Sequence, residues 1–302
     1  MGKIKESMKM KQEISGGIMQ HQYSLLENLL FPPTYLNEKK LKYKLKGKTV
    51  LITGASSGIG EKLAYLLADI NLHLILVART EEKLLAIKSE IERKAAKVSI
   101  FPADIRNKEE MEELLRFIHQ MPDGLDIVVS NAGISIRRSI NNSLDRYHDF
   151  TRTMAINYFA PVQLLLSVIP LLKKNQGQVI NISTVNVLLI PIPYWAAYQA
   201  SKSAFDTWFR SVAPELNAMG ISTTSIYLPL VKTPMILPTP AYHRLPAMCP
   251  SHVAKIIGKS MYTERQKYMP WWLIFGQLAS TIFRGIWELL TPSILRKRGK
   301  GH

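Results

Sequence analysis

The sequence predicts an α/β domain built as a doubly wound parallel sheet with helices on both faces. Three observations predict it. Short β-branched apolar runs alternate with helical patterns of crossover length from Lys48 onward, a glycine-rich turn joins the first run to the first helical pattern, and the composition is that of an ordinary globular chain. The 302 residues are 47% hydrophobic and 21% charged, which excludes disordered, collagen-like and polytopic membrane chains. A chain of this size can bury roughly three quarters of its unfolded surface, so it needs no staple. The single Cys249 cannot form an internal disulfide, and with no zinc-spaced Cys/His cluster no metal site is expected.

The first strand is Thr49–Thr53, followed by a helix from about Ile59 to Ile70. Leu74–Val77 is the second strand. After it, Glu81–Lys94 reads as a charged amphipathic helix, with Thr80 as N-cap and Glu81 and Glu82 favouring the dipole of its first turn. Val98–Phe101, a helix near Lys108–His119 and Ile127–Ser130 continue the alternation. A long helix up to about Lys173, the strand Gln178–Ile182, a helix around Ala196–Leu216 and the strand Ser222–Tyr227 complete it. Six such strands belong in a sheet covered on both faces, with ligand beyond their carboxyl ends.

Residues 1–46 read as a basic N-terminal extension with a short amphipathic piece, 47–265 as the α/β domain, and 266–302 as an amphipathic basic C-terminal segment. Within the domain, about 233–250 is rich in proline (Pro234, Pro238, Pro240, Pro246, Pro250), which suits an ordered loop acting as a substrate lid. The net charge of +16 is concentrated at the ends: residues 1–48 carry ten lysines against four glutamates, and Arg296, Lys297, Arg298 and Lys300 follow at the other end. Two readings stay open, solvated flexible ends or attraction to anionic lipid. No nucleic-acid module accompanies the charge, so nucleic acid is not an expected partner. The first residues lack an apolar signal core, and Glu6 stands where a myristoylation motif after Gly2 requires Ser or Thr.

The first strand runs directly into Thr53-Gly54-Ala55-Ser56-Ser57-Gly58-Ile59-Gly60 and then a helix. Glycines let a backbone turn tightly and approach a pyrophosphate, while unsatisfied N–H groups at the helix start attract its charge. At the end of the second strand, Val77-Ala78-Arg79-Thr80 offers a cation where an NAD-preferring protein usually places a carboxylate, so Arg79 is the expected ligand of an NADP 2′-phosphate, with hydroxyls from Ser56 or Ser57. A solvated surface arginine is the other reading. Farther on, Tyr198 stands four residues before Lys202 on one predicted helix, placing both on one face. A free tyrosine is too weak an acid for proton transfer near neutrality, and an adjacent ammonium is expected to lower its pKa.

These stretches, together with Asp104 in PADI, NAG (131–133), Asn157 in MAINYF, NIST (181–184), YQASK (198–202) and PLVKTP (229–234), resemble the short-chain dehydrogenase/reductase family over roughly residues 47–265. The resemblance implies a Rossmann fold and a bound NADP(H). Position by position, it implies that Gly54, Ser56, Ser57, Gly58, Ile59 and Gly60 cradle the phosphates, that Asp104 with Ile105 reaches the adenine, and that Asn131, Ala132 and Gly133 support the cofactor ribose. Val231 and Thr233 contact the carboxamide, Tyr198 is the acid/base, Lys202 binds the nicotinamide ribose, and Asn157 holds the water of a proton relay. Two departures stand out. The family's Ser-Ser after the fifth strand is Ser183-Thr184, leaving open which hydroxyl meets the substrate carbonyl, and Leu230 replaces a common glycine.

The stretches 134–139, 143–164 and 227–239 are more narrowly similar to bacterial fatty acyl-CoA reductases and their aldehyde-reducing relatives. That likeness implies reduction of a long-chain acyl-CoA or fatty aldehyde, with Tyr198 and the Ser183 or Thr184 hydroxyl stabilising the oxyanion. Arg137 and Arg138 either meet a CoA phosphate or form a solvated pair. Two rivals are kept: reduction of a 3-oxoacyl or steroid-like ketone, and a non-catalytic nucleotide-binding scaffold, against which the complete Asn157, Tyr198 and Lys202 set argues. From Met269 to Phe283 no residue is charged, too short for a membrane span. Gln277, Thr281, Arg284 and Glu288 form a polar stripe opposite Trp271, Phe275, Leu278, Ile282 and Ile286, which predicts one amphipathic helix lying on an anionic membrane surface or packing on the body or a second subunit. The expected setting is cytoplasmic, free or peripheral at the inner face of the membrane, with a homo-oligomer left open.

Overall fold

The computed structural model describes residues 23–299 apart from His243. The lysine-rich residues 1–22, with Gly2 and Glu6, lie outside the described residues, as do Lys300 and the side chains of Lys297 and Arg298. Among the described residues seven strands form one parallel sheet in the order β3-β2-β1-β4-β5-β6-β7. They are β1 Thr49–Thr53, β2 His73–Ala78, β3 Lys97–Pro102, β4 Ile127–Ser130, β5 Gln178–Thr184, β6 Ser222–Leu228 and β7 Lys267–Tyr268. The first six are the expected strands. The seventh is only two residues, paired with Ser225 and Ile226 at the sheet edge, too short to leave a period in the sequence.

The period of two sorts each strand between two cores. Val50 and Ile52 of β1 and Leu74 and Leu76 of β2 face one side, where helices Glu38–Leu45, Gly58–Leu67, Glu81–Ile91 and Pro250–Thr263 cover them. Leu51, Ile75 and Val128 face the other, against helices Lys108–His119, Ala160–Lys174 and Ala196–Ala218. Fully burying one such side chain contributes about 1.5–3 kcal/mol. The order reverses between β1 and β4, so the turns after β1 and β4 diverge and leave a crevice at the carboxyl ends of the strands.

Four local details depart from the periodicity or add to it. Thr80 occupies the N-cap of Glu81–Ile91, but its side chain makes no capping bond. The long helix preceding β5 is Tyr147–Met154, a wider π turn at Ala155–Phe159, and Ala160–Lys174. Although this stretch is long and apolar enough to span a membrane, Leu164, Leu165, Val168 and Leu172 pack it into the core. The expected single C-terminal helix is two, Leu273–Ile282 and Arg284–Gly299, broken at Phe283 beside the helix-weakening Gly285.

The described part of the N-terminal segment is tied to the domain. Helix Leu25–Leu30 starts in a capping box between Ser24 and Glu27. The second Glu27 oxygen accepts the Ala247 N–H (3.2 Å) and pairs with Lys232 Nζ (2.8 Å), and Tyr23 Oη accepts the Cys249 N–H at 2.8 Å. Leu41 and Leu45 of the next helix are buried in the domain core. The proline-rich segment is an ordered loop with short 3-10 turns at Pro234–Ile236 and Pro240–Tyr242, its ends joined by a bridge between Val231 and Met248.

Candidate active site

A cavity of about 500 Å³ follows the carboxyl ends of the strands. Of the residues assigned to cofactor or catalysis from sequence, all line it except Gly60 and Asn157. Arg137 and Arg138 do not line it, and instead of forming a solvated pair Arg137 lies over the Tyr194 and Trp195 rings and Arg138 pairs with the buried Asp149. At one end β1 turns at Gly54, whose φ of +67° is costly for any residue with a Cβ, and a Cβ there would meet Ala132 Cα at 2.9 Å. Gly60 is equally constrained by space, since its Cβ would lie 2.9 Å from Ala55 Cα. The helix beginning at Gly58 has no side-chain bond from its N-cap Ser57, so its first N–H groups and dipole remain available.

This turn is braced from β4. The Thr53 hydroxyl accepts the N–H groups of Asn131 and Ala132, both at 3.0 Å. In return, Asn131 Nδ2 donates to Thr53 O (2.9 Å) and Gly54 O (3.2 Å). Arg79 is exposed at the end of β2, and among the described residues no carboxylate lies within ion-pair distance of it. It is not, as the sequence suggested, alone. Arg106 also lines this end, gripping Asp104 with Nε at 2.9 and 3.1 Å from its two oxygens. That hydrogen bond, working against burial, holds the Asp104 carboxyl below its ordinary range. Arg106 follows Asp104 by two residues, a spacing too generic to signal the pair.

At the other end helix Ala196–Ala218 carries Tyr198, Lys202, Asp206 and Arg210 at intervals of four, a ladder on one face. Lys202 Nζ donates to Ile182 O at 3.1 Å. Burial pulls its pKa down to about 8 against the opposing pull of Asp206. Burial likewise pushes Tyr198 up to about 12, against a hydrogen bond from Thr184. In the protein alone the tyrosine is raised rather than lowered, because desolvation by burial outweighs the hydrogen bond from Thr184. Asp206, which sequence reading passed over, is buried and paired with Arg210 at 2.9 Å.

The two candidate hydroxyls part company. Thr184 faces Tyr198, whereas Ser183 is directed at Asp206, 3.5 Å away. Asn157 sits in the π turn, where a bulge re-aims a side chain. Its Oδ1 accepts the Ile134 N–H, and its Nδ2 donates to Ile134 O and Ser201 Oγ, all at 2.9–3.0 Å. Its amide thus fixes the loop after β4 to the Tyr198 helix. Val231 is buried in its bridge to Met248, and the Thr233 N–H donates to Val231 O.

The family model described as short chain dehydrogenase matches residues 48–241. The chain belongs to that family. This short-chain dehydrogenase is 44% identical over 247 residues to a fatty acyl-CoA reductase of Acinetobacter baylyi, covering 82% of each chain. It is 38% identical over 230 residues to a fatty acyl-CoA reductase of Mycobacterium tuberculosis, covering 75% of this chain and 77% of that one. Among solved structures, a short-chain dehydrogenase from Sphingobium yanoikuyae in complex with NADPH superposes with a TM-score of 0.66 at 22% identity, over 73% of this chain and 86% of that one. The fold is shared with it, and the chain is an oxidoreductase of the short-chain type.

Proposed function

We propose that the protein is an NADPH-dependent reductase of long-chain acyl carbonyl compounds, a fatty acyl-CoA or a fatty aldehyde. The observation that carries this reading is the cavity itself. It is lined by two arginines, Arg79 and Arg106, by the glycine turn, by Tyr198 and Thr184, and by apolar side chains including Ile192, Met235 and Leu245. A dinucleotide fits the part where the backbone turns at Gly54 on the cavity wall and the start of the Gly58 helix offers N–H groups that no N-cap side chain takes. Arg79 would hold the 2′-phosphate, Asp104 and Ile105 the adenine side, and Lys202 the nicotinamide ribose. The relatives named as fatty acyl-CoA reductases support an acyl chain in the apolar part.

When bound, the reduced nicotinamide supplies a hydride to the substrate carbonyl carbon. The chain's own part is to hold and neutralise the oxygen that becomes negative. The Thr184 and Tyr198 hydroxyls donate hydrogen bonds to it, and Tyr198 passes it a proton. A tyrosine held near 12 is fully protonated at neutral pH, the form a reduction requires. With a thioester, the resulting hemithioacetal expels the thiol and leaves an aldehyde. Asn157 and Lys202 hold the route by which Tyr198 is reprotonated. Such a reaction suits the cytoplasm, with the enzyme peripheral to the inner face of the membrane that holds apolar substrate.

The test is direct: purified protein with NADPH against a panel of long-chain acyl-CoA, decanal and a cyclic ketone, followed by nicotinamide absorbance and product analysis. Turnover of the acyl compounds with release of thiol or alcohol supports the reading. Preference for the ketone would replace it.

A further inference from the structure

We infer that helix Leu25–Leu30 and the C-terminal helix pair form one docking platform for an anionic lipid bilayer, set beside the mouth of the active-site cavity. The sequence shows that Leu273–Ile282 and Arg284–Gly299 have two unlike faces. The structure shows which residues meet the body and which face solvent. Ser280 Oγ accepts the Ile190 N–H at 3.3 Å, Trp287 Nε1 donates to Pro191 O at 3.3 Å, and a Cβ on Gly276 would lie 3.2 Å from the Leu189 side chain. Gly276, Ser280 and Trp287 therefore meet the body, while Thr281, Arg284 and Glu288 of the polar stripe stay exposed. Phe275, Leu278, Ile282, Phe283, Ile286 and Leu289 are exposed, Phe275 at 64% and Leu289 at 76%. An apolar surface of this extent facing water is costly and marks an interaction face.

The surface continues onto the other end of the chain. Trp271 Nε1 donates to Leu29 O at 3.0 Å, joining the start of the C-terminal pair to helix Leu25–Leu30. That helix in turn exposes Leu25 (91%), Leu26 and Leu29. In sequence both parts adjoin basic stretches: Arg296, exposed near the end of the second helix, is followed by Lys297, Arg298 and Lys300, and Lys3, Lys5, Lys9 and Lys11, outside the described residues, precede the N-terminal helix. This charge decides between occupants. A second copy laid on the platform would bring these like-charged segments together, whereas anionic headgroups neutralise them while the leucines and phenylalanines enter the acyl boundary. The backbone of Ile190 and Pro191 that these helices hold leads directly to Ile192, which, with Met235 and Leu245, lines the cavity and is exposed at its rim. The platform thus presents the cavity mouth to the lipid from which, if the proposed substrate class is right, an acyl chain is taken.

The experiment uses the full chain and the doubly substituted Leu278→Glu/Ile282→Glu protein, both positions being exposed. Flotation with phosphatidylglycerol and with phosphatidylcholine vesicles is compared at low and high salt, with thermal melts and NADPH binding as folding checks. The intact chain is expected to float with the anionic vesicles, less so as salt rises, and the variant's vesicle affinity is expected to fall by about a hundredfold while its melt is unchanged. Ile286→Glu/Leu289→Glu, at exposed positions of the second helix alone, gives an independent variant with the same expected loss should the first misfold. Absence of flotation by the intact chain overturns the inference. So does a dimer, measured by sedimentation, that these substitutions dissociate without any vesicle effect. Because vesicle binding needs no turnover, failure of the substrate reading leaves this result unaffected, and the converse also holds.

Discussion

Replacing Lys202 by methionine should make the protein more stable and leave it unable to turn over. The ammonium is held at about 8, where an unburied lysine has 10.5. At about 1.36 kcal/mol per unit, keeping it protonated in the folded state costs on the order of 3 kcal/mol. Methionine preserves the stem but removes the bond to Ile182 O, and leaving that carbonyl unpaired returns about 1 kcal/mol. The net gain is about 2 kcal/mol at neutral pH. Its pH dependence is the sharper signature. Because the folded pKa lies below the unfolded one, the unfolded wild-type chain binds more protons between about 8 and 10.5. Wild-type stability therefore climbs through that window, the penalty being full below it and absent above it. Urea unfolding of both proteins at about pH 7 and at intervals up to about pH 11 should show the variant ahead at the acid end and the difference closing at the alkaline end. A variant less stable at pH 7, or an advantage independent of pH, would refute the reasoning.

Tyr198→Phe should abolish turnover while the protein still binds NADPH, measured by fluorescence titration, since only the proton-donating hydroxyl is removed. Thr184→Ala should lower kcat by about a hundredfold, with Thr184→Ser largely restoring it and Ser183→Ala changing it only a few-fold; the opposite ranking would transfer the oxyanion contact to Ser183. Arg79→Ala should weaken NADPH binding by about 2 kcal/mol and leave NADH nearly untouched. Equal loss for both cofactors in calorimetry would remove Arg79 from the 2′-phosphate site, and a comparable selective loss in Arg106→Ala would show the two arginines sharing it.

The six principal strands were legible because central parallel strands, buried on both sides, are written as unbroken runs such as Val50-Leu-Ile52 and Ile127-Val-Val129. The glycine turn and the Tyr198–Lys202 spacing were legible because backbone geometry and helical period require them locally. What was hidden depends on tertiary neighbours. Nothing in MAINYF distinguishes a π turn from an α-helix; the wider turn coincides with the bonds Asn157 makes to Ile134, far from it in sequence. Alternation along β5 says that Ser183 and Thr184 point apart, but only docking of the helix shows which one meets Tyr198. The ammonium four residues from the tyrosine was visible, and the burial that raises the tyrosine was not. Likewise the polar stripe at Gln277 and Thr281 did not tell that Gly276, Ser280 and Trp287 would meet the body while Thr281, Arg284 and Glu288 stay exposed.

Glu27 reaches across the molecule to both roots of the proline-rich loop, Lys232 on one side and Ala247 on the other, where Val231 and Met248 already pair. A loop pinned this way has its two attachment points tied together. Met235, Ile236, Tyr242 and Leu245 between them line the cavity, so this part of its rim rests on those two points. The tie is a single carboxylate supplied by a helix near the N-terminus. Hydrogen bonds from Lys232, Ser24 and Ala247 hold its pKa low despite the opposing effect of burial. Support for the rim of the cavity is thereby lodged some two hundred residues away in sequence, in a segment outside the sheet that builds the site.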